Sequence, residues 1–537
     1  MTRRRASRIA RAFIAVGAGL ALASCGTEPP VVDTNDGNQS IEIRLKDENP
    51  GGPPVSGGRL KFQMRLEPAN LDPHKTTESA AYVVTENIYE SLLESVRGDL
   101  RPAIAKSWTI SPDGLTYTFQ LTEGLTFHSG RPLLAEDVKY SLERVMDPAT
   151  ASPRAQSFKM IRSIDVPDDL TVVLNLSEVS APLLSMLAAG GSAIVDREVA
   201  ESSSGLNGTV DGGSGPFVLK ARESGQRVVL DKNPNYRIAG LPYLDGIDVT
   251  WSGDDNARAA AIRSGTTDFL WRAAPEFIDA LKADPGLKWY GGAGTLSLHA
   301  RLNVAKAPFD DVRVRQALFY AVDRQALLDT ANSGHGQVLR AGYLPADRYG
   351  ALTTPVYGAP DLEKAKQLLS DAGYADGFKV SIMAVASSAF QTRQGELLQQ
   401  QLAELNIDVE LEFLEATVTS SRAASGDFDI YLTGLTMSID PDDRLSAGFS
   451  STGGSNYVHW SDAEYDDLLA QARRELDVDK RAELYQKSER ILAERGPVIF
   501  SFVTADYDVV AKNVMGYDGD PTPSFRFYKH LWLSDAS

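Results

Sequence analysis

The chain has 537 residues, a formal net charge of −18 and a single cysteine. A single core stops growing at roughly 250–300 residues, so two lobes are expected. The acidic balance argues against nucleic acid or a polybasic membrane surface as partner, and one cysteine leaves no disulfide to staple the fold.

The N-terminus carries Arg3, Arg4, Arg5, Arg8 and Arg11 ahead of a short apolar run over 12–24. That run is too short to span a bilayer and reads as an export signal. It ends in Leu22-Ala23-Ser24-Cys25, where small residues precede the lone cysteine and resemble the lipobox of bacterial lipoproteins. Residues 1–24 are therefore expected to be a lipoprotein signal peptide, with lipidation at Cys25 and the protein held at the cell membrane, facing the periplasm or cell exterior. The match to a twin-arginine signal is broken by Arg5-Ala6-Ser7, where apolar residues belong. Each buried CH₂ adds about 0.8 kcal/mol, so two or three acyl chains anchor durably where one does not. Removing the five signal arginines leaves −23 on the mature chain. Residues 25–58, rich in Gly, Pro, Asn and Asp, read as a flexible tether, with an r.m.s. reach of about 30 Å.

From residue 59 strand and helix patterns alternate. Residues 59–65 and 115–121 alternate as strands, the second entered through the turn Ser111-Pro112-Asp113-Gly114. Residues 135–147 form a helix with Val138, Leu142 and Val145 on one face and Pro148 stopping it. One long helix is expected over 311–333, from a cap at Asp310 to a stop at Gly334. Strands over 379–385, 407–414 and 428–435 alternate with helices over 390–405 and 416–425. This is a βαβαβ unit, whose right-handed crossovers make the strands neighbours in a largely parallel sheet. Ligand chemistry then lies beyond the strand ends at Val385 and Leu435.

Residues 100–108, 111–119, 127–130 and 135–142 resemble the signature block of family 5 extracellular solute-binding proteins, receptors of peptide/nickel-type ABC importers. Further matches at 213–217, 233–236, 308–317, 321–324, 365–373 and 426–429 follow in the family's order. Most of these positions also have plain structural readings: His128 at a strand end, Trp108 in a core, and Asp310 and Arg315 in capping and ion-pair roles. The resemblance implies an α/β, two-lobe periplasmic-binding-protein-like fold with a hinge and an extra inserted subdomain. Lobe I would cover 59–302 and be completed by 505–537; lobe II would cover 303–504. The expected crossing strands are 296–303 and 499–505. The resemblance further implies a monomer that is no enzyme, needs no cofactor, and passes a peptide or peptide-like solute to an ABC permease and ATPase complex.

Dipeptide receptors of the family resemble one another in an aspartate a few residues before an Asp-Pro, which pairs with the peptide ammonium. Here Met437 takes that place before Asp440-Pro441, and the family's arginine for the peptide carboxylate has no counterpart over 384–390. An ammonium buried without its counter-charge loses a bond worth about 1.5–3 kcal/mol. Candidate ligand contacts are therefore Thr436, Met437, Ser438 and Asp440 in this loop, with Asp440 either taking the ammonium or capping the turn with Pro441. Trp271 and Arg272, after the strand end at 267–270, are the lobe I candidates, as apolar floor and anion contact. His74, His128, His299, His335, His459 and His530 show no metal-ligand spacing, and His459 is expected nearest the cleft loops. A metal chelate, an opine or an oligosaccharide remains an alternative cargo. A secreted hydrolase is the alternative of another class, against which stands the absence of a Gly-x-Ser-x-Gly elbow, a His-Glu-x-x-His helix and a phosphate loop from the sequence.

Overall fold

A computed structural model describes residues 52–96, 98–202, 205–207, 210–436, 440–517 and 525–535. The expected signal peptide, Cys25, most of the tether, Met437 and Ser438 lie outside the described residues.

The first strand forms as β1 (Arg59–Met64), whose alternation buries Leu60, Phe62 and Met64 completely. After α1 (Ser79–Ile88) the chain leaves this sheet to build another from β2 (Ala105–Ile110) and β3 (Thr116–Leu121), continued beyond α2 (Ala135–Met146) by β4 (Ile161–Asp168) and β5 (Thr171–Leu176). These four strands order as β2-β3-β5-β4, all antiparallel. The helix seals the sheet with the stripe its spacing predicts, since Val138, Leu142 and Val145 join Phe119 and Val172 in one core. The turn into β3 closes through Gly114 N–H donating to Ser111 O at 2.8 Å, with Gly114 at φ 70°. Glycine takes that left-handed conformation at no steric cost. This unit is the inserted subdomain that the family resemblance implies.

Back in the first sheet, β6 (Phe217–Glu223) and β7 (Arg227–Lys232) form a hairpin beside β8 (Gly246–Trp251), which pairs in parallel with β1. The two-residue β9 (Phe269–Leu270) lies on the other side of β1. Next comes β10, a strand of 16 residues from Leu287 to Leu302.

The stretch expected as one long helix is two, α3 (Val312–Ala321) and α4 (Arg324–Asn332). Val322 is extended, and the Asp323 side chain accepts hydrogen bonds from Gln325 N and Ala326 N, capping a new helix. An aspartate that satisfies two orphan N–H groups competes with the continuous ladder. The α3 cap is Asp311 rather than Asp310, and Arg315 serves carbonyls (Phe309, Arg495 and Gly496 among them) instead of the expected ion pair.

The βαβαβ unit follows as β11 (Lys379–Val385), α5 (Ala389–Ala403), β12 (Asp408–Leu414), α6 (Ala416–Ala424) and β13 (Ile430–Thr436). β11 pairs in parallel with both β12 and β13, as expected. Three helices, α7 (Pro441–Phe449), α8 (Ala463–Arg474) and α9 (Val478–Arg495), lead into β14 (Val498–Ala511).

β10 and β14 run antiparallel from Leu287 opposite Ala511 to Arg301 opposite Val498. The expected crossing segments lie within these longer strands. At one end β14 pairs with β9, and at the other β10 pairs with β13, so one continuous sheet path passes from one half of the molecule to the other. The register slips between Ala293 and Ser297, beside a Gly-Gly-Ala-Gly run at 291–294. A Cβ on Gly291 would collide with the Asp506 carbonyl, so the close backbone approach there requires glycine. Separate apolar clusters flank this seam. One joins Leu60, Phe62 and Val249 to Val510, Tyr528 and Leu531; another gathers Leu302, Leu318, Ile382 and Leu432.

Glu489 on α9 is fully buried, accepts a hydrogen bond from Leu344 N at 2.9 Å, and has its pKa pushed up to about 8 by burial. The folded carboxyl holds its proton to a higher pH than the unfolded one, which titrates at about 4.3. Its contribution to stability is therefore full below that value and is lost as pH rises towards about 8. Urea unfolding at pH 5 and pH 8 should show Glu489→Gln gaining on the wild type at the higher pH, by on the order of 3 kcal/mol.

Candidate ligand-binding site

A cavity of about 340 Å³ opens where three parts of the fold meet: α1 with Tyr82 and Glu86, the inserted subdomain with Arg154, Met186 and Gly190, and the end of β13 at Thr436 with the start of α7 at Asp440, Asp443 and Arg444. A second cavity of about 300 Å³ shares Ser157, Met186, Asp440 and Asp443 with it and extends towards Lys159, Asp442 and Arg473. The segment beyond Leu435, one of the two places the βαβαβ reading singles out, thus lines both. At the other, Val385 N donates to Gln391 Oε1 at 2.8 Å.

Asp440 and Pro441 begin α7. Proline at the first helical position lacks an N–H that would be orphaned anyway, and Asp440 accepts from Asp442 N at 3.0 Å. The same carboxylate receives Arg481 Nη2 at 2.7 and 2.6 Å and the Tyr485 hydroxyl at 3.2 Å. Asp440 is therefore a cap already neutralised by an arginine, which leaves little of its charge for a ligand ammonium. Its neighbour Asp442 is held by Arg473 Nε at 3.0 Å to each oxygen and by Ser446 Oγ at 2.8 Å. Burial raises the Asp442 pKa against the pull of Arg473.

On the opposite wall the Tyr82 hydroxyl donates to Thr76 O at 2.8 Å and accepts from Arg154 Nη2 at 3.1 Å. Glu86 Oε2 accepts from Phe525 N at 2.7 Å. This wall is packed against Gly190 and Gly191: a Cβ on Gly190 would lie 2.7 Å from Glu86 Oε1, and one on Gly191 would collide with the Arg154 side chain.

Thr436 and Asp440 are the predicted residues that the structure brings together at this cavity. Trp271 and Arg272 lie together elsewhere, after β9. Trp271 is 9% exposed, with its ring edge-on to Phe525 at 5.4 Å, and the Arg272 guanidinium stacks over it at 4.8 Å. Arg272, at φ 51°, is fastened to the crossing strands through Asp508 Oδ1 at 2.9 Å, Thr295 Oγ1 at 3.0 Å and Asp506 at 3.2 Å. Asp508 beneath it is pushed up to about 6 by burial, opposed by the Tyr517 hydroxyl at 2.5 Å. His459 stands away from the expected cleft loops, its ring against Gly426 ahead of β13, at the opposite end of that strand from Thr436. His128 is buried between Asp211 at 2.5 Å and Gly215 O at 2.9 Å, and Trp108 is partly buried against the inserted core. Among the described residues no group of three or more His, Cys, Asp or Glu side chains is placed to hold a metal ion.

Tyr82, Glu86, Arg154, Asp443 and Arg444 escape sequence reasoning. The signal within reach was the Gly190-Gly191 pair, whose missing side chains make room for Glu86 and Arg154.

The mouth is bridged. Ala181 N in the inserted subdomain donates to Arg473 O on α8 at 2.8 Å. Gly114 lies between Val179 and Leu476, so that a Cβ there would be 3.2 Å from the first and 3.3 Å from the second.

Two halves joined by a pair of crossing strands, with a polar cavity between them, define a two-lobe solute-binding protein. The chain belongs to the bacterial extracellular solute-binding proteins, family 5, whose model matches residues 99–457. It is 30% identical to the di/tripeptide-binding protein 1 of Pseudomonas aeruginosa (strain UCBPP-PA14), over 89% of this chain and 95% of that one. To the heme-binding protein A of Haemophilus influenzae it is 29% identical, over 86% and 90%. Its fold superposes on the periplasmic binding protein DppA from Helicobacter pylori, solved with the peptide STSA, with a TM-score of 0.77 and 28% identity over 90% of this chain and 99% of that one. Among the described residues no helix is long and apolar enough to cross a membrane.

A charge placed at the mouth should work against closure. Leu476→Asp sets a carboxylate beside Val179, and small-angle scattering should then report a larger radius of gyration, with the melting temperature close to that of the wild type.

Proposed function

We propose that this protein is the extracytoplasmic receptor of an ABC importer. It is held to the membrane through acylated Cys25 and the tether over 25–58, and encloses an oligopeptide or peptide-like solute between lobe I (59–302, completed by 505–537) and lobe II (303–504). It then hands the cargo, chemically unchanged, to a membrane permease. The observation that carries this reading is the cavity of about 340 Å³ lined from both sides of the seam, within the roughly 300–1,000 Å³ range of small-ligand pockets. Its walls alternate hydroxyl, cation and carboxylate, a lining that suits a chain of amides with charged termini. The peptide-binding relatives support the same cargo class, while the heme-binding relative shows that family membership alone does not name it.

Closure reports cargo only if the closed form binds it better, and a shift from 1:99 to 99:1 needs about 5.5 kcal/mol of preference. A cavity with walls from both lobes supplies that preference by letting both touch one ligand. Asp440, neutralised by Arg481, supports a cargo not measured by its ammonium at that position.

Native mass spectrometry of the purified protein should release an intact peptide or peptide-like compound, and chemical conversion of that compound added in excess would overturn the receptor reading. Cys25→Ser should move the protein from the membrane to the soluble fraction, with loss of the acyl-modified mass; unchanged membrane association would remove the anchor from the proposal.

A further inference from the structure

Arg154 lines the cavity with most of its hydrogen-bonding capacity unspent. A guanidinium offers five N–H donors. One reaches the Tyr82 hydroxyl at 3.1 Å, while the buried Nε has no partner, and Arg154 forms no ion pair among the described residues. The side chain lies against bare backbone at Gly191, where any Cβ would displace it. Burial works against its charge, but Tyr82, Asp443 and Glu86 hold its pKa above the ordinary arginine value.

A second arginine lines the same cavity from the other lobe. Among the described residues the buried Nε of Arg444 has no hydrogen-bond partner, and its ion pair with Asp443 spans 3.6 Å, too long for a hydrogen bond. Of the other carboxylates lining the cavity, Glu86 accepts the Phe525 N–H and Asp440 is neutralised by Arg481, which leaves Asp443 as the one facing both arginines. A partly buried cation with donors to spare gains from a further acceptor, and the planar fork of arginine matches a carboxylate with two parallel hydrogen bonds.

We propose that Arg154, with Arg444 contributed by the other lobe, receives a carboxylate of the cargo. The proposal refines the receptor reading above and takes from it only that the ligand lies in this cavity. The carboxylate is either a peptide C-terminus or an acidic side chain, and one anion engaged by arginines of both lobes draws them together. The peptide's acid end would then be read from the inserted subdomain, a place unrelated to the loop after β11.

Titration calorimetry of the purified protein with Ala-Ala-Ala, its C-terminal amide and Ala-Glu-Ala amide tests this. The wild type should prefer the free acid over the amide by on the order of ten- to a hundredfold, the worth of a charge-assisted bond. Recovery of affinity by Ala-Glu-Ala amide assigns the seat to an acidic side chain; its absence assigns it to the C-terminus. Arg154→Gln should abolish the discrimination, and Arg154→Lys, which keeps the charge without the fork and serves if the glutamine variant unfolds, should retain part of it. Equal binding of acid and amide by the wild type, or undiminished discrimination in Arg154→Gln, overturns the proposal. If none of the three peptides binds, the cargo released in native mass spectrometry decides. An acid of another class whose retention falls in Arg154→Gln supports the carboxylate seat while overturning the peptide reading, and a cargo without an acid group overturns both.

Discussion

Everything in this molecule hangs on the backbone pairing between β10 and β14. These two strands are the shared spine of a sheet whose halves belong to different cores, and each half reaches the other only by continuing their ladder. Backbone hydrogen bonds tolerate twist better than stretch, so such a pair lets the halves rotate while keeping them in register. The slip beside the Gly-Gly-Ala-Gly run marks where the ladder is least regular and side chains stiffen it least. Arg272 clamps the same stretch through Thr295, Asp506 and Asp508, so a residue expected at the ligand also braces the spine.

Legibility from sequence followed the range of the forces involved. The βαβαβ unit was legible almost residue for residue, because its strands are short apolar runs and its helices end at turn-forming residues, Asn406 after α5 and Gly426 after α6, all local signals. The break between α3 and α4 was not, since Val322 continues the apolar periodicity and the capping bonds made by the Asp323 side chain interrupt the ladder. The site was half legible. The loop beyond Leu435 follows from strand topology, but the partner of Asp440 is Arg481 on a distant helix, and no pattern near Asp440 announces it. Arg154 was invisible for the same reason: its importance lies in what fails to surround it, which only the assembled fold reveals.

The cavity also shows how a strongly acidic protein presents cations to a ligand. Carboxylates near the cleft are spent on capping and on structural arginines, as with Asp440 and Arg481 or Asp442 and Arg473. Arg154, which has no such partner among the described residues, then sets the local field, whatever the net charge of the whole chain.

The bond between Ala181 N and Arg473 O has a further meaning. It joins main chain to main chain across the mouth, so substitution of either side chain, short of proline at Ala181, leaves donor and acceptor in place. The polar groups that line the cavity are, by contrast, largely side chains such as Tyr82, Glu86, Arg154 and Arg444. Side-chain substitutions can therefore rewrite what the cleft recognises while leaving the bond across its mouth in place.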